Sequence, residues 1–293
     1  MSFLLSTCEK ARELSPEEAA YVAEIQEWHK KRIDRLTSKT GWLSLAGLYW
    51  LKEGKNTFGS ASENDIRFPE GNAPDFIGSI HLEEGIVRTE INEDINVFNE
   101  GNLVNTIQMK PDISGEPTIL SVDSLSWYVI KRGERFGIRL RDHENENIKN
   151  FTGIEMYPIE TTWRVQARLE PYDPPKIIDV PNIMGNINEE TSPGVLIFSL
   201  EGKEYRLDPI GKPEGKSLFI IFADQTNGYE TYGAGRFLYA DMPGDDGLTM
   251  IDFNKTYNPP CAFTRFATCP LPPAQNVLPI RITAGEKKYA PQE

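Results

Sequence analysis

The spacing of hydrophobic positions changes once along this chain, separating a helical start from a long β body. Behind Ser15-Pro-Glu-Glu18, the apolar residues Val22, Ile25, Trp28, Ile33 and Leu36 recur at near-helical intervals and form one apolar face. Ser15 is placed to cap, Pro16 suits the first helical position, and Glu18 completes a capping box. The spacing predicts a helix to about Leu36 that stops before Gly41 and straps across the body of the protein. His29, set among Lys30, Lys31 and Arg32, is read as part of a solvated helix face.

Trp42 to Leu51 is almost wholly apolar but too short for a membrane span, so it predicts a buried strand or short helix. Short strand patterns follow at Asn56–Gly59, Asp65–Phe68, Ser79–Glu83, Ile86–Ile91, Ile95–Phe98, Thr118–Val122, Trp127–Lys131 and Phe136–Asp142. Glu84-Gly85, Glu100-Gly101 and Arg132-Gly133 are turn signals between them. A second series is expected at Trp163–Leu169, Ile177–Val180, Gly185–Ile187, Val195–Leu200, Lys203–Pro209, Leu218–Ala223, Gly235–Tyr239, Thr249–Asp252 and Leu278–Thr283. Glu201-Gly202 marks a hairpin, and Pro171, Pro174 and Pro175 mark a rigid crossing segment. Strands spaced this way predict a mostly β protein: an N-terminal helix, a first β-sandwich, then a second β-sandwich or barrel. The expected division is an N-terminal segment over 1–40, a sandwich over 41–150 and a second β domain over 151–293. The boundary falls between Asp142 and Thr161.

Charge narrows the partners. With 31 Lys and Arg against 44 Asp and Glu, the net charge is −13, which argues against nucleic-acid binding. No apolar run is long enough for a transmembrane helix. The 3 His lie far apart in sequence, and 3 Cys are too few for a disulfide framework. No metal site or cofactor is expected. Phe3-Leu-Leu-Ser-Thr-Cys8 is similar to the end of a bacterial lipoprotein signal, although it lacks the basic and longer apolar regions of a full one. A cell-envelope location follows if Cys8 is lipidated, a cytoplasmic one if it is not.

Two resemblances add to this reading. Leu51-Lys-Glu-Gly54, Asn56-Thr-Phe-Gly59 and Asn64-Asp-Ile-Arg-Phe-Pro69 resemble a forkhead-associated domain, a β-sandwich that reads phosphothreonine. Ser60 stands where that family's phosphate-binding Arg follows the Gly, and Asp75-Phe-Ile-Gly-Ser-Ile80 lacks its Ser-Arg-x-His. The resemblance therefore implies the scaffold without phosphopeptide binding, which depends on those charge-assisted hydrogen bonds. Over nearly the whole chain, Gly41-Trp-Leu-Ser-Leu-Ala-Gly-Leu-Tyr-Trp50, Ile138-Arg-Leu-Arg-Asp142, Thr231-Tyr-Gly-Ala-Gly-Arg-Phe237, Asp252-Phe-Asn254, Tyr257-Asn-Pro-Pro-Cys-Ala-Phe263 and Cys269-Pro-Leu-Pro-Pro273 resemble the uncharacterised bacterial family called domain of unknown function 1684. That resemblance implies a shared architecture and no particular activity.

The candidate site lies in the same C-terminal motifs. Arg236 follows Tyr232-Gly-Ala-Gly235 and suits either a bound anion or an internal carboxylate such as Asp252. No helix pattern follows those glycines, so nucleotide-loop readings fail their context test. Asp252 and Asn254 alternate with Ile251 and Phe253 and share a face if the segment is a strand. They either line a pocket or anchor the Tyr257-Asn258-Pro-Pro loop. Cys261 and Cys269 are two reduced thiols, a disulfide, or a site with Cys261 as nucleophile, which would need a nearby base. Glu286 could form an acid/base pair with Asp252. The first functional reading is a binding protein for a small polar or anionic molecule, held by Arg236, Asn254, Tyr257 and Asn258. The alternatives are a hydrolase using Asp252 and Glu286 or Cys261, and a structural envelope-associated protein.

Overall fold

A computed structural model describes residues 14–289; Cys8 and its lipoprotein-like segment lie outside the described residues. The predicted first helix, α1 (Pro16–Thr37), starts as the sequence indicates. Glu18 N–H donates to Ser15 Oγ at 3.2 Å, and Ser15 N–H donates to Glu18 Oε2 at 2.9 Å. Two orphan donors of the first turn are thus satisfied reciprocally. The buried face differs from the expected one. Tyr21, Ile25, Arg32 and Leu36 are buried, whereas Val22 and Ile33 are only half-buried. The inward stripe therefore carries polar side chains, because the surface beneath it carries polar groups to meet them.

The first β region contains β1 (Leu45–Trp50), β2 (Gly54–Gly59), β3 (Ile66–Arg67), β4 (Gly78–Glu83), β5 (Ile86–Ile91), β6 (Phe98–Asn99), β7 (Asn102–Leu103), β8 (Thr106–Gln108), β9 (Ile119–Val122), β10 (Leu125–Arg132) and β11 (Arg135–Asp142). They form one sheet in the order β1-β11-β10-β9-β6-β7 and another in the order β3-β2-β4-β5-β8. Inner-face residues of both sheets share one core, in which Trp127 from the first sheet meets Phe58 at 5.6 Å and Phe68 at 5.7 Å, edge to face. Two sheets that bury alternate residues against each other make a sandwich.

A short helix α2 (Glu146–Lys149) leads to the second β region. Its strands are β12 (Arg164–Pro181), β13 (Ile187–Leu200), β14 (Lys203–Leu207), β15 (Ser217–Phe222), β16 (Arg236–Asp241) and β17 (Leu248–Asp252). They form a four-stranded sheet in the order β14-β13-β12-β17 and the pair β15-β16. Leu196 and Phe198 from the sheet meet Ile220, Phe222 and Leu238 from the pair in one core.

Four local expectations change. Of Ile95–Phe98, only Phe98 enters a strand, β6. Trp163–Leu169 and Ile177–Val180 belong to a single strand, β12, and the proline segment lies inside it as a shift of register between Pro171 and Lys176. Partner strand β13 already starts at Ile187, so Gly185–Ile187 is not a separate strand. Leu278–Thr283 alternates buried and exposed like a strand but joins no sheet. Pro279 interrupts its donors, since proline has no N–H for a ladder. The Glu201-Gly202 hairpin is present between β13 and β14, with φ of 50° and 73° at the two turn residues, as the twist of a two-residue hairpin requires.

Candidate functional site

Two buried polar networks lie where α1 crosses the C-terminal β region, and a third lies within that region. The first surrounds Asp252, the last residue of β17. Tyr21 Oη donates to Asp252 Oδ1 at 2.7 Å, and Asn254 N–H donates to the same oxygen at 3.1 Å. Asn254 lies in a 3-10 turn that Asp252 caps, rather than on the strand, so strand alternation is not what brings the two side chains together. Asn254 Nδ2 donates to Tyr21 Oη at 2.9 Å and to Glu160 O at 2.8 Å. Burial, followed by donation to Asp252, pushes the Tyr21 phenol above its ordinary value.

The second network holds Glu286, which is 1% exposed. Asn258 donates to Glu286 Oε2 from its backbone N–H at 2.7 Å and from Nδ2 at 3.1 Å. Arg32 Nε donates to Glu286 Oε1 at 3.3 Å, and Arg32 Nη2 donates to Asn258 O at 2.9 Å. His29 Nε2 stands 4.0 Å from Glu286 Oε1 and has no hydrogen-bond partner. His29 thus faces the protein rather than solvent. Burial, and then Arg32, holds its pKa below the ordinary histidine value. Burial raises the Glu286 carboxyl.

The third network is centred on Arg236, 1% exposed. Its Nη1 donates to Asp224 Oδ2 at 2.7 Å and to Ile282 O at 2.9 Å, and its Nη2 donates to Ala284 O. The internal carboxylate is Asp224, not Asp252. Arg236 and Glu286 each follow a glycine with positive φ. At Gly235 (φ +109°) a Cβ would meet Pro272 Cγ at 2.5 Å, and at Gly285 (φ +76°) it would meet Thr256 O at 2.5 Å. Only glycine lets the chain turn inward at such close quarters.

Beside these networks is a groove of about 820 Å³ between α1 and the outward face of the β sheets. Trp28, Arg32, Arg35 and Leu36 of α1 form one wall. Phe219, Phe237, Tyr239, Met250 and Tyr257 lie across from them, with Arg164, Asp252 and Lys255 also lining the groove. The aromatic side is ordered: Tyr239 stacks on Phe219 at 4.9 Å and on Tyr257 at 6.4 Å, and the Arg32 guanidinium sits 4.7 Å from the Tyr257 ring centre. Burial raises the Tyr257 phenol.

The residues singled out in the sequence therefore separate. Asp252 and Tyr257 line the groove. Arg236, Asn254, Asn258 and Glu286 are sealed into internal hydrogen bonds. Asp252 and Glu286 enter different networks, gripped by Tyr21 and Arg32, about three turns apart on α1. Cys261 and Cys269 are free thiols, and Cys261 N–H donates to Cys269 Sγ at 3.0 Å. That neighbour lowers the Cys261 thiol through a hydrogen bond and is itself raised. Among the described residues no three His, Cys, Asp or Glu side chains group as metal ligands, and no helix is long and apolar enough to cross a membrane.

Sequence reasoning missed Tyr21, Arg32, Arg35, Trp42, Arg164, Tyr239 and Lys255. Tyr21 and Arg32 had a usable signal: with Ile25 and Leu36 they complete the helical stripe at 21, 25, 32 and 36. Arg164 had none, because an arginine at the start of a strand is ordinary.

Residues 149–287 match the model of the family described as protein of unknown function DUF1684. The match takes in every C-terminal motif quoted above, while Gly41–Trp50 and Ile138–Asp142 precede it. No curated protein matches the chain. A solution structure of the uncharacterized protein from gene locus rrnAC0354 of Haloarcula marismortui is 28% identical, covering 49% of this chain and 80% of that one, with a TM-score of 0.39. A structure titled Rv0020c FHA is 13% identical over 32% of this chain and 88% of its own, with a TM-score of 0.23. The FhaA FHA domain, solved in complex with the intracellular domain of Rv3910, is 17% identical over 32% of this chain and 97% of its own, with a TM-score of 0.20. The forkhead-associated resemblance is weak in structure as it is in sequence.

Proposed function

We propose that the groove between α1 and the C-terminal β region binds a small polar molecule carrying an anionic group. The observation that carries this reading is the charge of the lining. Arg32, Arg35, Arg164 and Lys255 stand against Asp241 and Asp252, in a chain whose net charge is −13. Arg32 and Lys255 are engaged by Glu286 and Glu24, whereas no ion pair to a described residue holds Arg35 or Arg164. Free guanidinium groups beside aromatic rings suit carboxylates and phosphates. The volume lies within the range of small-molecule pockets and far exceeds what a bare ion needs.

Binding is better supported than hydrolysis. A hydrolase built on Asp252 and Glu286 needs both carboxylates to reach one substrate, and Glu286 is closed off behind Arg32 and Asn258. A hydrolase built on Cys261 needs a base beside the thiol, and its neighbour is Cys269. Calorimetric titration of the full chain with small carboxylates and phosphates tests the binding reading. Binding should weaken at least tenfold in Arg164→Gln and weaken further with added salt. Titrations in which no anion binds, or in which Arg164→Gln binds as the parent does, would sink it.

A further inference from the structure

Arg164 and Asp252 are directly opposed across the β12–β17 ladder, so their side chains leave the sheet on the same face. Such a pair ordinarily closes into a salt bridge, yet these two make none. Tyr21 keeps them apart. Its hydroxyl donates to Asp252 Oδ1, and its ring lies 5.4 Å from the Arg164 guanidinium. Arg164 is exposed at the groove and forms no salt bridge with a described residue. Asp252 borders the same groove, is 7% exposed, and its Oδ2 accepts no hydrogen bond. The nearest cation to that oxygen, Lys255 Nζ at 4.0 Å, is held by Glu24 at 2.6 Å.

A buried carboxylate oxygen without a donor is an unmet demand of the fold. A guanidinium beside it with no salt bridge to a described residue is the opposite demand. One ligand head group answers both: a carboxylate for Arg164, joined through one carbon to an ammonium for Asp252. Beyond this pair the groove is aromatic, through Trp28, Tyr257, Tyr239 and Phe219, which favours a flat ring lying against or edge-on to those faces. We propose, resting on the binding reading above, that the ligand is an α-amino acid with an aromatic side chain. Its carboxylate pairs with Arg164, its ammonium pairs with the Asp252 carboxylate at the edge of the groove, and its ring packs on the aromatic wall.

Four probes that each keep or drop one part of this ligand test the assignment by calorimetry on the full chain. L-phenylalanine carries all three parts. 3-Phenylpropionate lacks the ammonium, 2-phenylethylamine lacks the carboxylate, and L-alanine lacks the ring. L-phenylalanine should bind at least tenfold more tightly than each of the others. Asp252→Asn should erase its advantage over 3-phenylpropionate, and Arg164→Gln its advantage over 2-phenylethylamine, the latter at an exposed position that leaves folding intact. Equal binding of L-phenylalanine and 3-phenylpropionate, or of L-phenylalanine and L-alanine, overturns the assignment while the anion reading stands. No binding by any probe or by inorganic phosphate overturns both.

Discussion

Arg236 and Glu286 are charges that the chain has taken out of water, and their energetics follow from what surrounds them. Arg236 has Asp224 and two carbonyls as acceptors. Removing one partner of such a pair leaves the other buried and uncompensated, which costs about 3–5 kcal/mol. Arg236→Met should lower the unfolding free energy by about that amount in urea titrations, and adding Asp224→Asn should recover part of it. A double variant as unstable as the sum of the single ones would show that the two charges are not coupled. His29 contributes a pH dependence. Its pKa in the folded chain is lowered from 6.5 by burial and Arg32. Above about pH 6.5 it is neutral folded and unfolded and adds nothing. Below that value the unfolded chain takes up a proton that the folded one resists, so stability falls as pH falls. Glu286, raised from 4.5 by burial, acts with the opposite sign: its contribution is present below pH 4.5 and is lost as pH rises through its raised value. Comparing His29→Gln with the parent isolates the histidine. The variant should lose less stability than the parent between pH 7.5 and 5.5 in urea titrations, and parallel curves would rule out the histidine.

At the scale of elements, α1 is the organiser. Its sequence encodes a capped helix, but its buried stripe is half polar, so its docking depends on matched hydrogen bonds as well as on Ile25 and Leu36. Tyr21→Phe removes the donor to Asp252 Oδ1 while keeping the ring, and it should cost about 1–3 kcal/mol because a buried carboxylate loses a partner. Thermal unfolding followed by circular dichroism reads this directly, and an unchanged midpoint would mean that the contact contributes nothing net. The segment from Leu278 to Thr283 shows how one residue redefines an element. Its alternation is that of a strand, Pro279 denies it a ladder, and its carbonyls are left for other work. Ile282 O accepts from Arg236, and Ile280 O accepts from Gln225 N–H.

At the scale of the molecule the two largest hydrophobic clusters among the described residues lie around Trp127 and Phe58 and around Phe222 and Phe253, with smaller ones around Phe237 and around Leu36 and Phe263. Helix α1 is tied to the C-terminal β region: its buried side chains reach Asp252, Asn258 and Glu286, and Leu36 packs with Leu43, Ile154 and Phe263. A chain starting at residue 41 should therefore show a lowered calorimetric transition for the C-terminal region. The Trp127 core should keep its own transition temperature, and a common shift of both would show that the cores unfold as one unit. The same arrangement explains why a chain with net charge −13 can hold a basic groove. Three of the four cations come from α1 and from the start of β12, elements distant in sequence that the fold brings together with Lys255.

Local chemistry was enough to determine much of this protein. The capping box set the start of α1, Glu201-Gly202 set a hairpin, and period-two alternation set most strands to within a few residues, because each depends on neighbours in sequence. The C-terminal motifs dense in Gly, Pro, Asn and Asp contain Arg236, Asp252, Asn254 and Asn258 of the buried networks. The sequence could not say which of those polar residues face inward. Arg236 and Glu286 look like site residues in a one-dimensional reading, since a charge in the sequence carries no sign of its burial. Their partners, Asp224 and Arg32, lie 12 and 254 residues away. The groove belongs wholly to the tertiary structure. Arg164 and Asp252 are 88 residues apart in the chain, and β pairing makes them neighbours, with Tyr21 from α1 set between them. Contacts across that distance follow from how the sheets and the helix pack, and no local pattern encodes them.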